Sequence, residues 1–131
     1  LPAMLAECDY VLLTLALTPA TRHIIDGAAL RAMKPGAVLI NVARGGLVDE
    51  LALIEALRAG QLRAAALDVF EQEPLPADSP LWSLPNVILT PHIAGITPAY
   101  EDRLMALFAE NMLRYVAGQE LLNMVDIQAV Y

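Results

Sequence analysis

Short, nearly continuous apolar runs alternate along this chain with segments whose apolar residues recur at helical spacing. Residues 10–15, 37–42, 64–68 and 87–90 are runs of the first kind. They are short and bounded by turn-forming residues, which predicts strands buried on both faces. Residues 1–7 read as the tail of a helix. Asp26 can cap a short helix over 27–33, which Lys34-Pro35-Gly36 ends. Asp49 can cap another over 50–59, with Leu51, Ile54 and Leu57 on its periodic face and Gly60 as its stop. A longer amphipathic helix is predicted over 98–117, with Leu104, Leu107, Phe108, Met112 and Tyr115 along one stripe and Gly118 beyond it. Strand and helix in alternation, with short links, imply an α/β fold: a Rossmann-like parallel sheet with flanking helices, plus a long C-terminal helix. One link is unlike the others. Residues 71–86 hold Pro74, Pro76, Pro80 and Pro85, and a loop that long is usually functional or packed on a partner.

Composition narrows the field. Hydrophobic residues make up 57% of the 131, with a mean hydropathy of +0.52, which is high for a single domain. No apolar run approaches the ~18 residues that span a bilayer, so a membrane partner is not expected. The excess fits buried parallel strands and surface meant for another domain or subunit. Eight basic against fifteen acidic residues give a net charge of −7. No basic cluster is present, so no nucleic-acid partner is expected either. Cys8 is the single cysteine and reads as an inert buried thiol in a reducing, cytoplasmic setting. No Cys, His, Asp and Glu grouping has metal-ligand spacing.

The candidate chemistry lies where strands give way to loops. Arg44 follows Val38-Leu39-Ile40-Asn41-Val42-Ala43 and precedes Gly45-Gly46. Glu73 lies just past the run that ends in Val69-Phe70, and His92 follows Thr90-Pro91. Ligands of open parallel sheets bind outside the carboxyl ends of the strands, so these three side chains can converge on one crevice. An Arg fork suits a carboxylate. A His held by a carboxylate can give a proton to a carbonyl. The combination reads as reduction of a 2-oxo acid.

One absence shapes the domain reading. No G-x-G-x-x-G occurs, and Gly45-Gly46 has the wrong spacing to cradle a pyrophosphate. The expectation is therefore the second half of a dinucleotide-binding domain over residues 1–97, with 98–131 a helix and tail returning toward a missing substrate domain. Such a chain is expected to be inactive alone.

Five stretches carry a family resemblance: Leu17-Thr18-Pro19-Ala20-Thr21, Met33-Lys34-Pro35-Gly36, Asn41 through Glu50, Ala66-Leu67-Asp68-Val69-Phe70-Glu71-Gln72-Glu73-Pro74, and Thr90-Pro91-His92-Ile93-Ala94-Gly95. Together and in this order the chain resembles the D-isomer-specific 2-hydroxyacid dehydrogenases, among them the glyoxylate/hydroxypyruvate reductase-like members. The resemblance implies hydride transfer between NAD or NADP and a small 2-oxo acid, in a homodimer. It implies that Arg44 binds the substrate carboxylate and carbonyl, that His92 is the acid/base and that Glu73 orients it. It also implies a cofactor surface of Leu17, Thr18, Pro19, Ala43, Arg44, Asp68, His92 and Gly95, in which Asp68 and the Ala43 carbonyl meet the nicotinamide carboxamide. Thr14 and Ala16 depart from the His and Pro that family members often carry there. Glu73, where a formate dehydrogenase would carry Gln, disfavours that branch. The alternative within the family is an NAD(H)-sensing, corepressor-like interaction module, which keeps a similar triad.

Other polar residues have plainer readings. Asp49 is a cap, and Glu50 a first-turn acid that suits the helix dipole. Arg22 and His23 read as an exposed loop, Trp82 as the anchor of the long loop or a subunit contact, and Asn111 and Arg114 as a solvated helix face.

Overall fold

The computed structural model describes residues 1–126. Helix α1 (Pro2–Glu7) leads into strand β1 (Tyr10–Leu13), then α2 (Gly27–Ala32), β2 (Val38–Asn41), α3 (Glu50–Arg58), β3 (Ala64–Leu67), β4 (Val87–Leu89) and α4 (Tyr100–Val116). The four strands form one parallel sheet in the order β1-β2-β3-β4, with Tyr10 beside Val38, Leu39 beside Ala65 and Leu67 beside Leu89. The expected α/β fold is the observed one.

Two compact units divide the chain, Leu1–Ala94 and Gly95–Tyr131. Residues 127–131, the end of the tail expected over 98–131, lie outside the described residues. In the first unit, Val11 and Leu13, Leu39, and Ala65 and Leu67 alternate onto a core shared with Leu30, Leu53 and Leu57. Small Ala side chains in β3 leave room for close packing. Both predicted caps form: Asp26 Oδ1 accepts from the Ala29 N–H at 2.8 Å, and Asp49 Oδ1 from Ala52 at 3.0 Å.

The long loop is not structureless. A 3-10 turn at Pro80–Ser83, capped by the Ser79 hydroxyl, buries Leu81 in the core. Trp82 Nε1 donates to the Pro76 carbonyl at 2.8 Å, so Trp82 does anchor the loop, although its ring stays exposed. A second 3-10 turn, Gly45–Leu47, follows Arg44.

Three expectations, for Cys8, Asn111 and Arg114, need correction. Cys8 is only half-buried, at the rim of the core, because α1 ends there. Arg22 and His23 lie in the expected exposed loop, whose end is tied to residues 46–48 by His23 N–H to Gly46 O at 2.8 Å and Ile25 N–H to Leu47 O at 3.0 Å. His23 also pairs with Glu71, Nε2 to Oε1, at 2.6 Å. In the second unit, Asn111 ties the chain after α4 back to the helix: its Oδ1 accepts from Leu122 N–H at 2.8 Å and its Nδ2 donates to Leu122 O. Arg114 pairs with Glu110 one turn earlier. No residue of α4 is buried.

Candidate active site at the carboxyl ends of the strands

Parallel strands place the residues that follow β2, β3 and β4 at one edge of the sheet. Asn41, the last residue of β2, is buried and fixes the turn after it. Its Oδ1 accepts from Ala43 N–H at 3.1 Å and its Nδ2 donates to the Arg44 carbonyl at 2.9 Å. Its own carbonyl accepts from the Asp68 N–H at 2.9 Å, which ties the ends of β2 and β3 together. Arg44 leaves this clamp with an exposed side chain whose Nη1 donates to the Ala43 carbonyl at 2.6 Å.

Gly45 then passes so close to Phe70 that a Cβ there would lie 1.9 Å from the Phe70 carbonyl carbon and oxygen. Only glycine permits this approach. It sets the Arg44 loop directly against the loop that carries Glu73.

Glu73 accepts at both oxygens. Oε1 takes the Phe70 N–H at 3.0 Å, and Oε2 meets His92 Nδ1 at 2.7 Å. Burial pushes its carboxyl pKa up, but the His92 and Phe70 hydrogen bonds and the nearby charges of His92 and Arg44 outweigh this, and the net shift is downward. With Nδ1 engaged, Nε2 of His92 is left for a ligand.

His92 sits at φ +56, a left-handed conformation uncommon for a side-chain-bearing residue. Asp68 holds it there. The Asp68 carboxylate accepts from the Thr90 hydroxyl, from Ile93 N–H at 2.9 Å and from Ala94 N–H at 2.8 Å, and its carbonyl accepts from His92 N–H at 2.8 Å. Burial raises the carboxyl pKa of Asp68, but these hydrogen bonds and the nearby His92 lower it by more. Asp68 is 3% exposed. A carboxylate offers about four lone-pair sites, so a fourth donor can still be received.

Arg44, Glu73 and His92 line one cavity of about 370 Å³, together with Leu17, Gly46 and Arg22. A second cavity of about 400 Å³ shares Phe70, Glu73 and His92 and, apart from Thr90, is otherwise apolar, walled by Leu75, Trp82 and Leu89. The three residues singled out from the sequence are thus brought together, and Leu17 joins them. Thr18 and Pro19 follow in a turn held by Arg22 N–H to Thr18 O and by the Thr21 hydroxyl, which receives Thr18 N–H at 2.7 Å. Ala43 is buried with its carbonyl turned to Arg44. Gly95 is the first residue of the second unit. Sequence reasoning missed Asn41 and Arg22. The only signal for Asn41 was an amide inside an otherwise apolar strand. Among the described residues no grouping is arranged to hold a metal ion, and no helix is long and apolar enough to cross a membrane.

Comparison with known proteins gives this arrangement a context. The profile of the D-isomer specific 2-hydroxyacid dehydrogenase NAD-binding domain matches residues 1–94. A glyoxylate/hydroxypyruvate reductase B of Pectobacterium atrosepticum is 46% identical over 130 residues, which cover 99% of this chain and 41% of the relative. An (S)-sulfolactate dehydrogenase of Chromohalobacter salexigens is 50% identical over 114 residues, 87% of this chain and 37% of the relative. The chain thus spans about two fifths of the length of the curated relatives it matches. A D-isomer specific 2-hydroxyacid dehydrogenase from Xanthobacter autotrophicus Py2, crystallised with NADPH and MES, superposes with a TM-score of 0.92 at 46% identity, covering 99% of this chain and 53% of that one.

Proposed function

The chain belongs to the D-isomer specific 2-hydroxyacid dehydrogenase family, and from that premise we propose that it forms the catalytic edge of an enzyme reducing a small 2-oxo acid of the glyoxylate or hydroxypyruvate type. The observation that carries this reading is the Glu73–His92 pair at 2.7 Å beside Arg44 in one cavity. Arg44 binds the substrate carboxylate by paired hydrogen bonds and polarises the carbonyl. His92, protonated, gives the Nε2 proton to the alkoxide oxygen formed at C2, while Glu73 on Nδ1 fixes the ring. Asp68 positions His92 through the backbone of residues 92–94.

NAD or NADP, when bound, supplies the hydride. Its nicotinamide end fits the residues present. The fourth lone-pair site of Asp68 suits a carboxamide N–H, the Ala43 carbonyl has a second lone pair, and Leu17 lines the cavity of Arg44, with Thr18 and Pro19 the next residues proposed to meet the cofactor. Gly95 closes the proposed set. A homodimer in a reducing cytoplasm belongs to this reading, supported by the apolar residues that α4 leaves exposed and by the lone Cys8.

Steady-state kinetics on the natural full-length protein test the proposal. It should oxidise NADPH or NADH with glyoxylate or hydroxypyruvate, and His92→Asn should lower kcat by about 10²–10⁴-fold. Unchanged turnover in that variant would remove His92 from the mechanism.

A further inference from the structure

Arg22 is the one basic residue of the cavity that the proposed mechanism does not use. Its backbone is fixed rather than loose: its own N–H donates to the Thr18 carbonyl at 3.0 Å, and the next residue enters the ladder beside Gly46. That ladder brings the guanidinium over Gly46, where Nη1 would lie 3.3 Å from an added Cβ. Gly46 therefore keeps open the space that this guanidinium occupies. Among the described residues the Arg22 side chain makes no hydrogen bond or ion pair. The nearest acids of the cavity are already taken, Glu71 by His23 and Glu73 by His92. Two guanidinium groups thus line a single cavity of about 370 Å³, and neither is hydrogen-bonded or ion-paired to a carboxylate within it.

A ligand with one carboxylate uses only one of them. We propose that Arg22 is a specificity-determining residue that binds a second anionic group on C3 of the 2-oxo acid, a sulfonate, carboxylate or phosphate, while Arg44 holds the C1 carboxylate. The inference deepens the reading of Arg44 and His92 above and rests on it. The planar fork of a guanidinium matches the oxygen pairs of all three anions, whereas an ammonium would meet them as a point charge.

The experiment compares 3-sulfopyruvate and oxaloacetate with hydroxypyruvate as substrates of the natural full-length protein and its Arg22→Gln and Arg22→Lys variants. Calorimetry of the same acids in the presence of NADP⁺, where no turnover occurs, runs in parallel. Arg22→Gln should raise KM and the calorimetric Kd for the two dianionic acids about 10- to 100-fold, the usual worth of a charged hydrogen-bonded contact. The effect on hydroxypyruvate should be about tenfold smaller, and Arg22→Lys should recover part of the loss. An equal loss for all three acids, a loss expressed instead in the KM for NADPH, or no loss at all would overturn the proposal. Failure to reduce any of the acids would overturn the reading of the triad, while the calorimetric comparison would still decide the role of Arg22.

Discussion

At the scale of single residues, the site depends on contacts that leave no freedom for substitution. Gly45 shows this most directly. A Cβ there would strike the Phe70 carbonyl at 1.9 Å and come within 2.5 Å of the Glu71 nitrogen, and both obstacles are backbone. Gly45→Ala should therefore cost more than the ~1–3 kcal/mol usual for an overpacked side chain. Gly95→Ala, with nothing within 4 Å of its added Cβ, is the matched control and should leave the denaturation midpoint nearly unmoved. Equal midpoints for the two variants in urea titrations would refute the close approach. Glu73 makes a prediction in pH. Its pKa is held below the ordinary 4.5, so the ionised form is favoured in the folded chain. That share of stability is complete above the ordinary value and is lost as pH falls through the lowered one. Glu73→Gln should flatten the acid limb of stability against pH; superimposable limbs would show that the pair with His92 contributes nothing to folding.

At the scale of elements, the caps are the simplest test. Asp49→Ala removes the acceptor for the Ala52 N–H at the start of α3 and should destabilise the protein by about 0.5–2 kcal/mol, whereas Asp49→Asn should retain most of that stability. Identical thermal midpoints for the two variants would mean that the cap is idle. These helix starts were legible because capping is local, written in a residue and the few that follow it. Strand positions were legible for the same reason, but their ends were read too long: residues 10–15 and 87–90 were expected where Tyr10–Leu13 and Val87–Leu89 pair. Apolar character continues past the last ladder hydrogen bond, and sequence does not mark where the partner strand stops. The two 3-10 turns are too short to show a period. The hydrogen bonds between 23–25 and 46–49 are non-local, so sequence does not show that the loop holding Arg22 is pinned beside Gly46. Arg44, Glu73 and His92 stood out because each follows a strand end. The hydrogen bonds of Asn41 and Asp68 that aim them depend on three-dimensional register and were invisible.

At the scale of the whole molecule, the first unit carries the proposed catalytic edge and no glycine-rich turn for a pyrophosphate. The 131 residues alone should accordingly bind NADPH weakly or not at all, and should self-associate through the apolar side chains exposed along α4. Calorimetry and sedimentation on that chain decide both points, and tight binding by a monomer would contradict them. The sheet has one more consequence. Each strand pairs only with the next in sequence, 10 with 38, 38 with 64 and 65 with 87, so a ribosome can deliver the fold in order. Arg44 and Glu73 emerge first and are set by Asn41 and Phe70. His92 follows only after β4, together with the Thr90, Ile93 and Ala94 groups that Asp68 has been waiting to receive. A nascent chain stopped short of β4 holds an anion-binding arginine and an unpaired acid but has no proton to give. The proton donor of the proposed mechanism is thus the last of the three site residues to be set in place.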